Sequence, residues 1–474
     1  MTTDFDYDVA VLGAGTAGMS AYREARKYTD RVVMIDGGQL GTTCARVGCM
    51  PSKLLIAAAE ARHRAESIGL FGLRSGPVEV DGALVMRRVR AERDRFVGFV
   101  NEAIDGFGEG SLIREYGQFL DDNTLVLSSG RRISARSIVI ATGSRPYAPP
   151  LLEEAGDRLV FNDDVFDWND LPSSVAVFGT GVIGLELGQA LHRLGVRTHL
   201  YGRSGSIGPL TDPRVIDYAA AQFAGEFPVD WTADVSVGRD GDQVVIRSAA
   251  GEERFDFLLA ATGRQANVDK IGLENTSLVL DARGVPNYDR LSMRAGYSDI
   301  FVAGDAAIDV SLLHEAADEG RVAGENAARF PHSYRRKRRT PLTIVFSDPQ
   351  IAIAGRSHAE LLQDRMDFAV GEVSFDDQGR SRVMGLNRGI LRIYGDRPSG
   401  LLLGAELIGP SAEHLAHLIA WSIESRLTVP ELLERPFYHP VIEEGLRTAL
   451  RHLNHELGFG PNPPLRCIDC GPGG

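Results

Sequence analysis

Short runs of apolar residues alternate with longer amphipathic stretches along most of this chain, and glycine-rich turns separate them. Near the N-terminus, the run Asp8–Leu12 predicts a buried strand, a helical stretch extends to about Tyr28, and Arg31–Ile35 predicts a second strand. A strand, a turn, a helix and a second strand recur between Ser174 and Tyr201. Strands that alternate with helices in this order form βαβ units, so the pattern predicts an α/β protein.

Three further apolar runs predict strands that end in characteristic turns. The runs 138–141 and 258–261 both lead into Thr-Gly, where we expect the chain to cross between two domains, and the run 299–303 leads into Gly-Asp. A helical stretch from His314 to about Arg329 precedes a basic linker. Alternating strands and helices then continue to about Leu457, and a tail rich in Gly and Pro follows.

Composition limits the possible partners. The chain has 474 residues, enough for two to four domains, and a formal net charge of −13, which argues against nucleic acid or an anionic membrane as partner. The basic run Arg335–Arg339 is the local exception. We interpret it as a solvated linker or dimer-rim patch, with an anionic partner as the alternative.

Targeting signals are not apparent. The N-terminus is acidic and leads straight into a strand, which is unlike a signal peptide, and no stretch approaches the roughly 18 apolar residues of a membrane span. The chain has four cysteines, too few for a structural disulfide framework, so they are expected to be redox-active or inert. These features predict a cytoplasmic protein.

Two glycine fingerprints occupy the turns of the two βαβ units. GxGxxG loops let the backbone approach a pyrophosphate at a helix N-terminus, so two loops imply two dinucleotides. Asp36 ends the second strand, about 20 residues beyond the first loop, where a carboxylate accepts hydrogen bonds from a ribose hydroxyl. The loops comprise Gly13, Gly15 and Gly18 in the first unit and Gly179, Gly181 and Gly184 in the second.

A cysteine pair follows the first βαβ unit. Cys44 and Cys49 lie five residues apart in the segment Leu40–Lys53. Two thiols that close a small ring store two electrons as a disulfide, and a dinucleotide bound just upstream can deliver or collect those electrons. The combination indicates a flavin-coupled dithiol/disulfide oxidoreductase.

Together with the Gly-Asp turn and a closing His-Pro, these motifs resemble those of the pyridine nucleotide–disulfide oxidoreductases, over residues 5–457. The resemblance is greatest to dihydrolipoyl dehydrogenases, with glutathione reductase and mercuric reductase as relatives. It implies homodimers whose active sites use both subunits, and two Rossmann-like domains for FAD and NAD(P) plus a C-terminal α+β dimerisation domain. The implied division is 1–150 for the first part of the FAD domain, 151–264 for the NAD(P) domain, 265–339 for the remaining FAD or central part, 340–457 for the dimerisation domain and 458–474 for a flexible tail.

The resemblance also implies the cofactor contacts. The first fingerprint and Asp36 would hold FAD, the second fingerprint would hold the nicotinamide nucleotide, and Asp305 would bond the ribityl hydroxyls. Lys53 and Glu186 match a buried pair beside the flavin N5, where a cation favours the reduced, anionic flavin. The remaining residues expected along the cofactors are Thr42, Thr43, Thr142, Gly143 and Gly263.

The thiols take distinct roles in the resemblance. Cys49 lies in the first turn of a predicted helix, which favours its thiolate, and it would form a charge-transfer pair with the flavin. Cys44 would exchange with the substrate sulfur. His439 would be the acid/base acting across the dimer, with Glu444 as its orienting carboxylate. Two departures are noted: Val441 stands where the family usually has Thr, and Glu443 is a second carboxylate close to the ring.

The coenzyme choice depends on the end of the strand that closes the second βαβ unit. An NAD site usually has a carboxylate there, whereas this chain has Gly202 followed by Arg203. The loss of a negative charge and the gain of a positive one suit a 2′-phosphate, so NADPH is favoured over NADH. NADPH reductases of the family usually have a second arginine where this chain has Pro209.

The tail carries the other two cysteines, Cys467 and Cys470, as CxxC. It is interpreted as a redox relay, a metal-capturing tail or an inert one; a lone CxxC does not complete a four-ligand zinc site, so no metal centre is predicted. The main hypothesis is a dihydrolipoyl dehydrogenase-like enzyme acting on a small disulfide, dithiol or lipoyl group. The alternatives are an NADPH-dependent glutathione-, mercuric- or thioredoxin-type reductase that uses the tail, and a non-catalytic flavoprotein docking subunit.

Overall fold

The computed structural model describes residues 5–461 and divides into three sheet systems. The first segment of the chain contains β1 (Tyr7–Leu12), α1 (Thr16–Ala25), β2 (Val32–Ile35), α2 (Thr43–Val47), α3 (Cys49–Ser67), α4 (Gly82–Asp105), β3 (Leu112–Ile113), β4 (Gly117–Phe119), β5 (Thr124–Leu127), β6 (Arg132–Ile140) and β7 (Ser144–Pro146). Most of these strands form one sheet in the order β3-β2-β1-β6-β5-β4. Helix α1 ends at Ala25, and residues 26–28 continue to the predicted limit near Tyr28 as a tighter turn, in which the Lys27 amide donates to the Glu24 carbonyl at 3.1 Å and the Tyr28 amide to the Ala25 carbonyl at 2.9 Å.

The second sheet is a complete parallel α/β unit. Its segment contains α5 (Pro150–Glu153), β8 (Leu159–Phe161), α6 (Asn162–Val165), β9 (Ser174–Phe178), α7 (Val182–Arg193), β10 (Arg197–Tyr201), α8 (Pro213–Ala224), β11 (Val229–Asp230), β12 (Ser236–Asp240), β13 (Gln243–Ser248), β14 (Gly251–Phe255) and β15 (Phe257–Ala260). The parallel order is β11-β10-β9-β15-β8, and β12, β13 and β14 form a separate antiparallel meander. The carboxyl ends of β9 and β10 therefore lie side by side, where such sheets bind nucleotides.

The chain then returns to the first sheet. This part contains β16 (Arg264–Ala266), which pairs with β7, then β17 (Ile300–Val302), which pairs in parallel with β6, and α9 (Leu313–Arg329). Helix α9 packs closely on α1: a Cβ at Gly320 would lie 2.2 Å from the Ala17 carbonyl oxygen, and one at Gly324 equally close to that of Ala21. Glycine at these two positions permits the close approach, which fixes α9 beside the first nucleotide turn.

The third system is an antiparallel α+β domain. It contains β18 (Leu342–Val345), β19 (Gln350–Gly355), α10 (His358–Gln363), β20 (Phe368–Ser374), α11 (Gly379–Met384), β21 (Ile390–Asp396), β22 (Leu402–Gly409), α12 (Ala412–Glu424), α13 (Val429–Leu433) and α14 (Glu443–Glu456). The sheet order is β18-β19-β22-β21-β20, and α12 and α14 complete its apolar core. The predicted fold class, two Rossmann-like sheets and an α+β domain, is confirmed; the predicted domain boundaries stay a prediction.

One buried carboxylate joins the second sheet system to the third. Glu406 has no solvent exposure and accepts four hydrogen bonds: from the Thr211 amide and hydroxyl, from the Asp212 amide at 2.8 Å and from the His358 amide at 2.8 Å. Four donors match the acceptor capacity of a carboxylate, so its charge is fully satisfied without water.

No helix among residues 5–461 is long and apolar enough to cross a membrane. The cytoplasmic location stays a prediction.

Candidate active site

The two cysteines lie on consecutive short elements around a sharp turn. Cys44 lies in α2, and Cys49 is the first residue of α3, as the sequence predicted for a helix start. Thr42 adopts a positive φ of 60°, and its hydroxyl caps α2 by accepting from the Ala45 amide at 3.2 Å. Both thiols are free, Cys49 is exposed and Cys44 is half-buried.

The two sulfur atoms differ in acidity. The Cys44 thiol donates a hydrogen bond to Cys49, and this bond, together with the positive charge of Lys53, lowers the pKa of Cys49 to about 7 against the opposing effect of burial. The same bond, followed by burial, raises the pKa of Cys44 far above its ordinary value. The hydrogen bond from Cys44 acts in the same direction as the helix N-terminus to which the sequence attributed a Cys49 thiolate. Above about pH 7 the pair therefore holds one proton, on Cys44.

We predict that alkylation of Cys49 in the reduced, FAD-free protein has its midpoint near pH 7. Because the pKa of Cys49 is lowered, the reactive thiolate forms above that pH and is lost below it, while Cys44 keeps its proton. Iodoacetamide labelling across pH, read by peptide mass spectrometry, measures this. Cys44→Ala removes the donor and should move the Cys49 midpoint upward; an unchanged midpoint would exclude the hydrogen bond as the cause.

Lys53 and Glu186 form an ion pair between the first two sheet systems. Their Nζ and Oε2 atoms are 2.6 Å apart, and the Glu186 side chain is only 4% exposed. The sequence missed the third member: the Phe346 amide donates to Glu186 Oε1 at 2.9 Å, and the Phe346 ring centre lies 4.6 Å from Lys53 Nζ. A cation over an aromatic face gains about 0.5–2 kcal/mol, so Phe346 helps to orient the ammonium group.

The first glycine fingerprint is closely packed where the sequence requires it. Gly13 has φ +106°, and a Cβ at Gly18 would lie 1.9 Å from the Gly13 carbonyl oxygen. Asp36 Oδ2 accepts from the Ala14 amide at 2.7 Å, and Oδ1 accepts from the Gly38 amide at 2.8 Å. The carboxylate thus fixes the loop, and each oxygen keeps a second lone pair for a ribose hydroxyl.

The surroundings of the loops fit bound dinucleotides. The Thr142 hydroxyl is buried and has no hydrogen-bond partner within residues 5–461, as expected of a group that contacts a cofactor. A Cβ at Gly15 would meet no atom within 4 Å, which leaves the backbone open to a phosphate. The same holds for Gly143, Gly181 and Gly263.

Asp305 lies beside a polar pair that the sequence did not single out. The Ser144 hydroxyl donates to Asp305 Oδ2 at 2.8 Å. Arg264 donates in turn to the Ser144 hydroxyl at 2.8 Å and to the Ser144 carbonyl at 2.9 Å. The Arg264 guanidinium, which is 14% exposed and lies 3.9 Å from Asp163 Oδ1, is therefore linked to Asp305 through the Ser144 hydroxyl. Thr43 is exposed on the same loop as Thr42.

The second fingerprint repeats the first. Gly179 has φ +114°, and a Cβ at Gly184 would lie 1.8 Å from the Gly179 carbonyl oxygen. Gly202 follows β10 directly, in the strand-end position predicted by spacing. A Cβ there would lie 2.7 Å from Thr180 Cγ2 and from the Trp231 carbonyl oxygen, so no side chain fits at Gly202 without movement.

The loop after Gly202 carries a cation and hydroxyl groups. Arg203 is exposed, and no other described residue forms an ion pair or hydrogen bond with its side chain. The Ser204 and Ser206 hydroxyls are 3.0 Å apart, and the Ser206 hydroxyl is 3.4 Å from that of Thr180. Hydroxyl groups beside an arginine are donors suited to an anionic ligand.

His439 lies in the third domain, immediately before α14. Its Nδ1 is 2.8 Å from Glu444 Oε1, and Glu444 Oε2 accepts from the Val441 amide at 3.0 Å. Glu444 is buried, and it is the carboxylate that contacts the ring, rather than Glu443. The imidazole is half-exposed, so its Nε2 is available on the surface of the protomer.

Within residues 5–461 of one protomer, no hydrogen bond joins His439 to either cysteine. A site completed by a second subunit stays a prediction. The CxxC pair Cys467 and Cys470 lies outside the described residues.

Two nucleotide-binding sheets, a dithiol between them and an antiparallel third domain define a class of two-electron oxidoreductases. The chain belongs to the pyridine nucleotide-disulphide oxidoreductase family: the family's description matches residues 7–320, and that of its dimerisation domain matches residues 342–450. The predicted family and its enzyme class are therefore confirmed. The family implies FAD and a nicotinamide nucleotide as cofactors.

Curated relatives divide between two activities. The chain is 30% identical over 448 residues to dihydrolipoyl dehydrogenase of Chlamydia muridarum, covering 92% of this chain and 95% of the relative. It is 29% identical to mercuric reductase of Shigella flexneri, covering 95% of this chain and 81% of the relative. At such identities the comparison does not distinguish between these substrates.

Solved structures share the fold. LpdA from Mycobacterium tuberculosis has a TM-score of 0.82 at 23% identity, covering 94% of this chain and 99% of that one. The HOCl-induced flavoprotein disulfide reductase RclA from Escherichia coli has a TM-score of 0.79 at 20% identity, covering 96% and 100%.

Proposed function

We propose that this protein is a homodimeric, FAD-dependent NAD(P)H:disulfide oxidoreductase, similar to dihydrolipoyl dehydrogenase, that acts on a small disulfide, its dithiol or a lipoyl group. The observation that carries the proposal is the placement of two free thiols, Cys44 in α2 and Cys49 at the start of α3, on the helix whose Lys53 forms an ion pair with Glu186 of the second sheet system. The lowered pKa of Cys49 is consistent with this role. FAD, when bound, transfers the electron pair between the nicotinamide and the thiols. The same residues serve either direction of the reaction.

The acidity of the thiols explains why an additional base is needed. Cys44 keeps its proton in the hydrogen bond to Cys49, so it is a poor nucleophile until a base removes that proton. His439, held by Glu444 through Nδ1, has its Nε2 free for this task and would supply it from the second subunit. Glu444 holds the ring in the tautomer that accepts at Nε2.

The exchange then balances for disulfide reduction. The Cys44 thiolate attacks one substrate sulfur, and the released thiolate takes the proton from His439. The Cys49 thiolate attacks the Cys44 sulfur of the mixed disulfide; the second substrate thiolate leaves and takes a proton from solvent, and a Cys44–Cys49 disulfide remains. The hydride of NAD(P)H supplies the two electrons and the proton that restore the pair of one thiol and one thiolate.

A steady-state screen tests this proposal. NADH and NADPH are each combined with lipoamide, oxidised glutathione, Hg(II) and a thioredoxin, and kcat/KM is compared. We expect the highest value with lipoamide. A preference for Hg(II), glutathione or thioredoxin would favour the alternative reductases, and no turnover with any acceptor would favour the docking subunit.

Within this function we propose NADPH as the preferred coenzyme. Gly202 leaves no room for the carboxylate that would accept from a 2′-hydroxyl, and Arg203 with the neighbouring hydroxyls offers donors to a 2′-phosphate. The absence of a second arginine, at Pro209, is compensated in this proposal by the Ser204 and Ser206 hydroxyls.

Arg203→Leu should lower the ratio of kcat/KM for NADPH over NADH by about tenfold. A charge-assisted hydrogen bond contributes about 1.5–3 kcal/mol, and 1.4 kcal/mol corresponds to a factor of ten. This substitution is preferable to a new carboxylate at Gly202, where the side chain would collide with Thr180. Arg247→Leu, on the surface meander of the same domain, is the matched control. A wild type that already prefers NADH, or an unchanged ratio, would overturn the NADPH assignment.

A further inference from the structure

The basic run Arg335–Arg339 lies on the acidic side of α9, between the first sheet system and the third domain. Four of its five side chains form ion pairs with carboxylates of the same chain. These pairs are Arg335 with Asp289, Arg336 with Glu325, Arg338 with Asp309, Glu315 and Glu319, and Arg339 with Asp318. Arg335, Arg336 and Arg339 stay exposed, in keeping with the solvated linker that the sequence suggested, whereas Arg338 is half-buried. We refer to residues 335–339 as the strap.

Arg338 is the innermost member of the strap. Its guanidinium lies 2.7 Å from Glu319 Oε1 and also contacts Glu315. The Arg338 side chain is 21% exposed and that of Glu319 only 3%, whereas Arg335 at the outer end is 68% exposed. An exposed ion pair contributes little to stability, while removal of one partner of a buried pair is strongly destabilising. The consequences of the strap are therefore concentrated at Arg338.

Glu319 connects the strap to the Gly-Asp turn. Its Oε2 accepts from the Gly304 amide at 2.8 Å. Gly304 has φ +68° and no room for a side chain, because a Cβ would lie 2.8 Å from Ala17 Cβ. The next residue is Asp305, whose carboxylate accepts from Ser144. Arg338, Glu319 and the Gly304 amide thus form a continuous chain of contacts that ends beside Asp305.

The charge on Glu319 depends on Arg338. Burial raises the pKa of Glu319, and the positive charge of Arg338 is the largest effect that opposes it. A Glu319 without this partner would gain a proton more readily, and a neutral carboxyl group accepts more weakly from an amide than a carboxylate does. Loss of Arg338 would consequently loosen the Gly304–Asp305 turn.

We propose that Arg338 and Glu319 are positioning residues for FAD: the strap fixes the Gly304–Asp305 turn, and through it the affinity for the ribityl part of the cofactor. The inference rests on the proposed function only in that Asp305 holds FAD. The strap lies in the linker before the dimerisation domain. Through Glu319 of α9 it is connected to the Gly304 amide, 15 residues earlier, and so to the proposed cofactor site. No residue of the strap needs to touch FAD.

Titration of FAD into the full-length apoprotein, followed by flavin fluorescence quenching, tests the proposal. We expect Arg338→Met to raise the FAD Kd about tenfold and Arg335→Met, the matched control at the exposed end, to change it less than twofold. Glu319→Gln, which preserves shape, should raise the Kd similarly. Because the two residues act through one contact, Arg338→Met should have little further effect in the Glu319→Gln background.

Three outcomes would overturn the proposal: equal effects of Arg338→Met and Arg335→Met, additive effects of the Arg338 and Glu319 substitutions, or no change of Kd. If Arg338→Met does not fold, Arg338→Lys, which keeps the charge, should lie closer to wild type than Glu319→Gln; the reverse order would contradict the role. If the wild type binds FAD but reduces no disulfide, the proposed function is wrong. The FAD titrations would still test the role of the strap, because they do not depend on disulfide turnover.

Discussion

Replacing Cys49 with serine should abolish disulfide turnover while FAD stays bound. A serine hydroxyl keeps its proton at neutral pH and forms no disulfide, so the variant has neither the thiolate nor the partner for Cys44. The residues expected to hold FAD, from the glycine loop to Asp305, are untouched. Stopped-flow and steady-state assays with lipoamide, with the flavin content measured by absorbance, would record both results.

Cys44→Ser is the matched control because it also lacks the disulfide but keeps the thiolate beside the proposed flavin site. We expect it to show long-wavelength absorbance from the thiolate and flavin, and Cys49→Ser to lack it. Normal lipoamide or glutathione turnover in Cys49→Ser would refute the thiol mechanism. If the long-wavelength absorbance appears in Cys49→Ser and not in Cys44→Ser, the assigned roles of the two cysteines must be exchanged.

His439→Ala should lower kcat/KM for disulfide exchange by about 10²–10⁴, the usual contribution of a general acid/base. The reason is the proton that Cys44 retains in its bond to Cys49, which a base must remove before Cys44 can attack. His439→Ala should affect thiol exchange and leave flavin reduction by NAD(P)H near the wild-type rate. Rapid-mixing experiments separate the two half-reactions.

Mixed dimers test whether His439 acts across the subunit boundary. A dimer with one subunit lacking Cys44 and the other lacking His439 should keep one complete site and about half of the wild-type activity. Tagged subunits, purified as heterodimers, provide the sample, and each homodimeric variant is the control. Heterodimers as inactive as the homodimers would place His439 in the site of its own subunit.

The sequence predicted those features whose signals are local. The strand Ser174–Phe178 was located to the residue because an apolar run ends at a glycine turn, and Cys49 lies in the first turn of α3, as predicted. The Glu444–His439 contact was predicted through the resemblance, and the structure distinguishes Glu444 from Glu443 by burial. Local pattern and family motif therefore predicted elements and contacts that the structure contains, while the roles of these residues stay predictions.

Contacts between distant segments could not be predicted from local sequence patterns. The Phe346 amide donates to Glu186, 160 residues away in the chain, and a backbone donor cannot be recognised from the residue type. The contact of Arg264 with Ser144 depends on the pairing of β16 with β7, which the sequence did not predict. The strap was interpreted from its positive charge alone, while its contacts in the fold are set by carboxylates of α9 and of the loops before α9.

The four bonds to Glu406 have a consequence for motion during the catalytic cycle. A rotation of the second sheet system away from the third domain would remove the three donors of Thr211 and Asp212 from a carboxylate that has no access to water, at a cost of several kcal/mol. We therefore expect these two units to stay together during turnover. Coenzyme would then arrive and leave through small movements of the loop beyond β10, and we expect the stiffness of that loop, rather than hinge bending between domains, to set how fast one nucleotide replaces another.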